Sequence, residues 1–154
     1  MKKWIYILWL FFWTIPSGFA QLKVHTFEEA EKLSKENPKL FVVFIHTSWC
    51  NYCKMMENST FKNQEIITIL NDNFYFISLD AEIKKDIHFK NHRFHFIPRG
   101  QNTGIHELAT ALATIDSQVV YPTIAILESD LSIVFQKHSF ISRKDLLAIL
   151  KKTK

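Results

Sequence analysis

Glycine is scarce in this chain of 154 residues, and so are the motifs that depend on it. Only three glycines are present, and none belongs to a glycine-rich loop of the kind that cradles the phosphates of a nucleotide. A serine-nucleophile motif and a His-Glu zinc motif are missing as well. The sequence therefore does not belong to the nucleotide-binding, serine-nucleophile or zinc-enzyme classes that such motifs identify.

A large excess of charge of one sign is also missing. Lys and Arg total 19 against 15 Asp and Glu, and Lys2 and Lys3 belong to an N-terminal segment that we expect to be removed. The remaining chain then carries 17 basic and 15 acidic residues, a net charge of +2. This near balance gives no electrostatic reason to expect a nucleic-acid partner.

The apolar run at the N-terminus is too short to cross a bilayer. It extends over residues 4–13, and Gly18 and Ala20 supply small residues at the two positions that a signal peptidase reads. We predict a secretory signal peptide over residues 1–20, cleaved near Ala20, and one mature domain over residues 21–154. An uncleaved anchor is the alternative. Cleavage predicts a periplasmic or secreted protein, and since no cysteine follows the run, a bacterial lipoprotein is not expected.

Cysteine is scarce too, which makes the two that are present informative. Cys50 and Cys53 are the only cysteines, so they bond to each other, bind a metal or stay free. Secreted proteins of this size often use disulfides as structural staples, but closing so short a loop contributes only about 2 kcal/mol in the loop-closure description. We interpret the pair as redox-active, with metal binding and an inert pair as alternatives.

The spacing of the two cysteines supports redox chemistry. If Cys50 begins a helix, Cys53 lies at i+3 on the same face, within reach of a disulfide. The unpaired N–H groups of the helix N-terminus then stabilise the Cys50 thiolate and lower its pKa below the free value of about 8.5. We expect Cys50 to attack a disulfide and Cys53 to resolve the mixed disulfide that forms.

Residue patterns in the first half of the mature chain predict alternating helices and strands. A capping box at Thr26 begins a helix that ends before Pro38, and a later helix begins at Asn63. The continuous apolar runs at 40–45 and 74–79 predict strands, the first buried on both faces. Because helices separate these strands, we expect a crossover connection and a parallel pair.

The second half is interpreted as two helices, a loop, a hairpin and a last helix capped by Ser142. These segments are residues 81–89 and 105–114 for the helices, 93–103 for the loop, 123–127 with 133–135 for the hairpin, and 143–151 for the last helix.

Histidines suggest a rival function, a metal-binding protein or metallochaperone that combines the cysteine pair with nearby imidazoles. The candidates are His46, four residues before Cys50, and His88, His92, His95 and His106. On a helix, His88, His92 and His95 would share one face. A polar surface is the simpler interpretation, because the neighbouring residues make a regular helix doubtful, and we assign no metal site.

The chain resembles the thioredoxin superfamily in motifs that lie far apart in the sequence. A buried strand precedes Trp49-Cys50-x-x-Cys53-Lys54, and Tyr121-Pro122-Thr123 precedes the hairpin. The resemblance covers nearly the whole mature chain. Residues 54–73 look like the secreted branch that includes the soluble C-terminal domain of the bacterial transmembrane disulfide reductase.

The resemblance implies an α/β thioredoxin fold, with a central mixed β-sheet flanked by helices and a longer insert around residues 86–114. It implies a thiol-disulfide oxidoreductase without a cofactor, acting as a monomer on protein thiol and disulfide substrates. A membrane-embedded disulfide reductase would supply the electrons. Trp49, Tyr121 and Pro122 would contact the substrate, with a cis bond before Pro122, and the insert would serve as a lid or docking surface.

Two departures from cytosolic thioredoxin bear on mechanism. The buried acid of that family falls on Phe44 here and its lysine partner falls on Phe76, so neither charge is left without its partner. The base that deprotonates Cys53 is therefore undefined. Strongly oxidising members place a histidine between the cysteines, whereas this chain has Asn51-Tyr52, which predicts a reducing or intermediate potential.

Overall fold

The structure, a computed structural model, describes residues 20–154. The predicted signal peptide lies outside the described residues, apart from Ala20. Within residues 20–154 the chain forms five α-helices and eleven strands. None of these helices combines the length and the apolar character that crossing a membrane requires.

The helices are α1 (Phe27–Glu36), α2 (Asn51–Asn58), α3 (Gln64–Asn73), α4 (Glu107–Ala113) and α5 (Arg143–Thr153), with a 3₁₀ turn at Thr60–Lys62. The strands are β1 (Val24–His25), β2 (Leu40–His46), β3 (Phe74–Asp80), β4 (Ile87–Phe89), β5 (His92–Phe94), β6 (Phe96–Gly100), β7 (Thr103–His106), β8 (Thr114–Ile115), β9 (Gln118–Val119), β10 (Thr123–Leu127) and β11 (Ile133–Lys137).

A central sheet of five strands, in the order β1-β3-β2-β10-β11, organises the fold. Strand β3 is parallel to β1 and β2, and β10 is antiparallel to β2 and β11. Side chains of β2 alternate between two cores, since Phe41, Val43 and Ile45 face one and Val42 and Phe44 face the other. The prediction of a mixed sheet with a parallel β2–β3 pair and a terminal hairpin is confirmed.

The predicted helix starts are confirmed by their caps. The Thr26 hydroxyl accepts the Glu29 N–H at 3.1 Å while the Glu29 carboxylate accepts the Thr26 N–H at 2.9 Å, which completes the capping box. The Asn63 side chain caps α3 through the Ile66 N–H, and Ser142 caps α5 through the Asp145 N–H. These caps depend on residues close in sequence, so the sequence alone locates them.

The region between β3 and α4 differs from the prediction. The predicted helix at 81–89 and the loop at 93–103 are wrong, because β4 pairs with β5 and β6 pairs with β7 in two short antiparallel hairpins. Ile87 and Phe89 are buried around the exposed His88, which is the two-residue period of a strand. The predicted helix at 105–114 shortens to α4, because His106 still belongs to β7.

Carboxylates of α1 hold the first hairpin against the rest of the domain. Glu28 accepts the His88 N–H at 2.8 Å, and Glu31 accepts the Lys90 N–H at 3.1 Å. At the other end of the region, the His106 N–H donates to the Ala81 carbonyl at 2.8 Å. The predicted insert around 86–114 is therefore an ordered pair of hairpins followed by α4.

Candidate active site

The two cysteines form a disulfide at the start of α2. Their Cα atoms are 5.2 Å apart. Cys50 is the N-cap of the helix, and its sulfur accepts the N–H of Cys53 at 3.1 Å. When the disulfide opens, this N–H and the positive end of the helix dipole are in place to stabilise a thiolate on Cys50.

Both cysteines are buried in the disulfide form. The exposed fraction is 6% for Cys50 and 1% for Cys53. Cys50 is therefore the more accessible of the two residues to a partner.

Exposed apolar side chains lie next to the cysteines in the sequence. Trp49 is 62% exposed, Tyr52 is 61% exposed and Met55 is 49% exposed. The ring of Tyr52 also contacts Phe140, with the two centroids 6.5 Å apart. Large apolar side chains left in solvent next to a reactive group indicate a contact surface.

The Tyr121-Pro122 segment lies at the same end of the sheet as the disulfide. Strand β10 begins at Thr123, which pairs with Ile45 near the end of β2, and the rings of Tyr121 and Trp49 meet edge to face at 5.9 Å. The Tyr121–Pro122 peptide bond is cis, the form that the resemblance implies. The structure thus brings together Trp49, Tyr121, Pro122 and the cysteine pair.

Trp49 and Tyr121 each carry one polar group, and the two groups have different surroundings. The Trp49 indole N–H donates to the Glu82 carboxylate at 3.2 Å. The Tyr121 hydroxyl is buried and has no hydrogen-bond partner among residues 20–154, and burial raises its pKa to about 12. It therefore stays protonated near neutral pH.

Phe44 and Phe76, at the two positions where cytosolic thioredoxin has its charged pair, both pack against Phe61. Phe61 lies 4.9 Å from Phe44 and 5.1 Å from Phe76, ring centroid to ring centroid. All three belong to the same core cluster as Cys53. Apolar packing has thus replaced the pair, and no charge is stranded beneath the disulfide.

A polar side chain that the sequence analysis considered only as a metal ligand lies beside this core. His46, at the end of β2, stacks on Phe44 with 5.0 Å between the ring centroids. Its Nε2 lies 2.9 Å from the Ser78 hydroxyl, and its Nδ1 lies 3.9 Å from the Glu57 carboxylate. We missed Glu57, although its position four residues after Cys53 on the same helix was a signal.

The histidines of the insert do not share a helical face. His88 and His92 lie on β4 and β5, and His95 follows β5, so the arrangement that the metal-binding alternative required does not occur. His106 is buried and caps α4 by accepting the Leu108 N–H at Nδ1, at 3.3 Å. Over residues 20–154, no three or more His, Cys, Asp or Glu side chains are grouped as metal ligands would be.

The position of Trp49 predicts that its fluorescence depends on the redox state of the disulfide. It is the only tryptophan after residue 20, it precedes Cys50, and Glu82 and Tyr121 hold its ring in place. Reducing the disulfide in protein lacking residues 1–20 should therefore change its fluorescence. A double Cys50→Ser, Cys53→Ser variant, the matched control, should show no response to reductant. An emission spectrum that stays unchanged while two thiols appear would contradict this placement.

Comparison with known proteins assigns a family. The Thioredox_DsbH family, described as "Protein of unknown function, DUF255", matches residues 20–145. Spermatogenesis-associated protein 20 of Mus musculus is 38% identical over 60 residues, and that of Homo sapiens is 35% identical over 60 residues. Each alignment covers 39% of this chain and 8% of the relative, so the chain matches only a small part of these relatives' length.

Solved structures share the fold at low sequence identity. A structure titled "DsbH Oxidoreductase" has a TM-score of 0.62 at 19% identity, covering 91% of this chain and 89% of its own. A thioredoxin from Thermus thermophilus has a TM-score of 0.61 at 19% identity, covering 86% of each chain. The reduced DsbD C-terminal domain of Neisseria meningitidis has a TM-score of 0.52 at 16% identity, covering 81% of this chain and 90% of its own.

The fold, the disulfide of the Cys-x-x-Cys motif and the family match agree with one another. The chain belongs to the Thioredox_DsbH family, and it has the thioredoxin fold with a Cys50–Cys53 disulfide.

Proposed function

We propose that this protein exchanges disulfides with protein substrates in the periplasm or outside the cell, with Cys50 as the attacking residue and Cys53 as the resolving residue. The observation that carries the proposal is the position of Cys50 as the N-cap of α2, with its sulfur accepting the Cys53 N–H. A sulfur held in this way is stabilised as a thiolate, and the thiolate is the nucleophile in disulfide exchange.

The reaction in the reducing direction has two steps. The Cys50 thiolate attacks a substrate disulfide, a mixed disulfide forms, and one substrate sulfur leaves as a thiolate and takes up a proton. Cys53 then loses its proton and attacks the Cys50 sulfur, and the second substrate sulfur leaves. Two electrons pass from the cysteine pair to the substrate, which becomes a dithiol while Cys50 and Cys53 become a disulfide.

The exposed side chains around Cys50 suit an extended peptide as substrate. Trp49 and Tyr52 offer apolar contacts, and Tyr121 with Pro122 lies across from the disulfide at the start of β10. An extended chain that binds here would place its own disulfide over Cys50, with the backbone of Tyr121 as a hydrogen-bonding partner. We assign substrate contacts to Trp49, Tyr121 and Pro122.

The proposed compartment and electron source rest on sequence features and on fold similarity. The signal peptide predicted over residues 1–20 would bring residues 21–154 out of the cytoplasm as a monomeric domain. The fold is shared with the DsbD C-terminal domain, which supports a membrane-embedded disulfide reductase as the partner that returns the pair to its dithiol form.

The equilibrium reduction potential of the pair tests the direction of exchange. Asn51-Tyr52 supplies no positive charge between the cysteines, so we expect a value between those of thioredoxin and protein disulfide isomerase, about −270 to −180 mV. Equilibration with glutathione mixtures, read by thiol counting, measures it. A potential near that of DsbA, about −120 mV, would overturn the assignment to the reducing side.

A further inference from the structure

The second step of exchange needs a base close to a buried thiol. Cys53 must lose its proton before it can attack, and only 1% of the residue is exposed. Bulk water therefore has almost no direct access to this proton. The position beneath the pair at which cytosolic thioredoxin has an acid holds Phe44, which cannot accept a proton.

His46 lies on the side of the sheet where such a base is required. Side chains alternate along a strand, so His46 shares a face with Val42 and Phe44. Both of those residues belong to the core cluster that contains Cys53. The His46 imidazole is thus directed to the layer that holds the resolving cysteine.

Glu57 lies near the imidazole and on the same helix as Cys53. It follows Cys53 by four residues on α2, so the two side chains are neighbours on one face of the helix. Its carboxylate lies 3.9 Å from His46 Nδ1. Glu57, Phe44, Phe61 and Ser78 line a cavity of about 440 Å³ that opens to solvent, which offers a route for a proton to leave.

The protonation state of His46 suits an acceptor. The imidazole faces the carboxylates of Glu57 on α2 and Asp80 on β3, together with the neutral hydroxyl of Ser78. Burial lowers the pKa of His46 from 6.5, and the two carboxylates raise it in part. Near neutral pH the ring is therefore neutral and has a free lone pair for a proton.

We propose that His46, acting through Glu57, accepts the proton of the Cys53 thiol in the resolving step. This inference rests on the proposed function, because it concerns the second half of the exchange. The proton passes from the Cys53 sulfur to the Glu57–His46 pair, and the Cys53 thiolate attacks Cys50. The departing sulfur leaves as a thiolate, and the pair releases its proton through the cavity.

The two halves of the exchange can be separated with Ellman's reagent, an aromatic disulfide. Attack by Cys50 on one equivalent releases one coloured thiolate, and resolution by Cys53 releases a second. Rapid mixing of the reduced protein between pH 5 and pH 9 therefore gives two phases.

For His46→Gln we expect the second phase at pH 7 to slow by about tenfold or more, since a general base contributes a factor of about 10² to 10⁴ to the rate. The first phase should change by less than about twofold, and the second should depend on pH up to the ordinary range of a thiol.

Two further variants distinguish a role of His46 in proton transfer from a general disturbance of the structure. Glu57→Gln, a change at a partly exposed carboxylate, should slow the second phase in the same direction. His25→Gln is the matched control, because His25 is a half-buried histidine whose pKa burial also lowers, but it lies on β1 and contacts Tyr75. We expect it to leave both phases unchanged.

Distinct results separate failure of the inference from failure of the proposed function. If the second phase of His46→Gln keeps the parental rate and pH profile, or if both phases slow together, the inference is overturned. If the parental protein releases no coloured thiolate at all, the disulfide exchange itself is wrong.

Discussion

Replacing Cys53 with Ser should convert the protein into a trap for its substrates. Cys50 keeps its position at the start of α2 and still attacks, but the mixed disulfide has no thiol to resolve it. We expect turnover of a protein disulfide to fall by at least about 10³-fold, or about 4 kcal/mol in transition-state stabilisation. Mixed disulfides should accumulate as reductant-sensitive adducts, which non-reducing electrophoresis and mass spectrometry detect.

Cys50→Ser is the control for this trap, since it should lose turnover equally and form no adduct. The parental protein gives an independent check. A stoichiometric alkylating agent applied near neutral pH to the reduced form should label Cys50, because its thiolate is stabilised and it is the more exposed of the two cysteines. Preferential labelling of Cys53, or adducts that form in Cys50→Ser, would reverse the two roles.

Truncating Phe44 should destabilise the domain strongly. Its side chain is 1% exposed and packs against Phe61 and His46 beneath the disulfide. Removing a buried phenyl ring leaves a cavity, and Phe44→Ala should lower the free energy of unfolding by about 3 to 5 kcal/mol. Urea unfolding of the oxidised protein measures the change.

Phe140→Ala is the matched control for this truncation, because Phe140 is 36% exposed and its ring contacts the exposed Tyr52. We expect a loss below about 1 kcal/mol, as for substitutions at the surface. Equal losses in the two variants would show that the buried ring of Phe44 contributes no more to the stability of the domain than an exposed one.

Much of the fold follows from local rules that the sequence displays directly. The run at 40–45 is apolar at every position, as a strand buried on both faces requires. Thr26, Asn63 and Ser142 each cap a helix within three residues, so the signal and the structure are close in sequence. The disulfide between Cys50 and Cys53 also follows from helical spacing.

The remaining parts depend on contacts between distant segments. Strands β4 and β5 contain three residues each, too few for a convincing period, and their pairing depends on a turn at Lys90 and Asn91, both with positive φ. The contact of His46 with Glu57 joins a strand to a helix, and the sequence contains no spacing rule for such a pair. Tertiary packing decides both, so neither could be predicted from the sequence alone.

The hairpins β4–β5 and β6–β7 form small sheets of their own, and within residues 20–154 neither pairs with a strand of the central sheet. The first hairpin still contributes Phe89 to the core, where it packs on Phe41 of β2, whereas the tip of the second, at Gln101 and Asn102, is exposed. A sequence grafted at that tip would therefore leave the hydrogen-bonded register of β2, β3 and β10, and with it the support of the cysteine pair, unchanged.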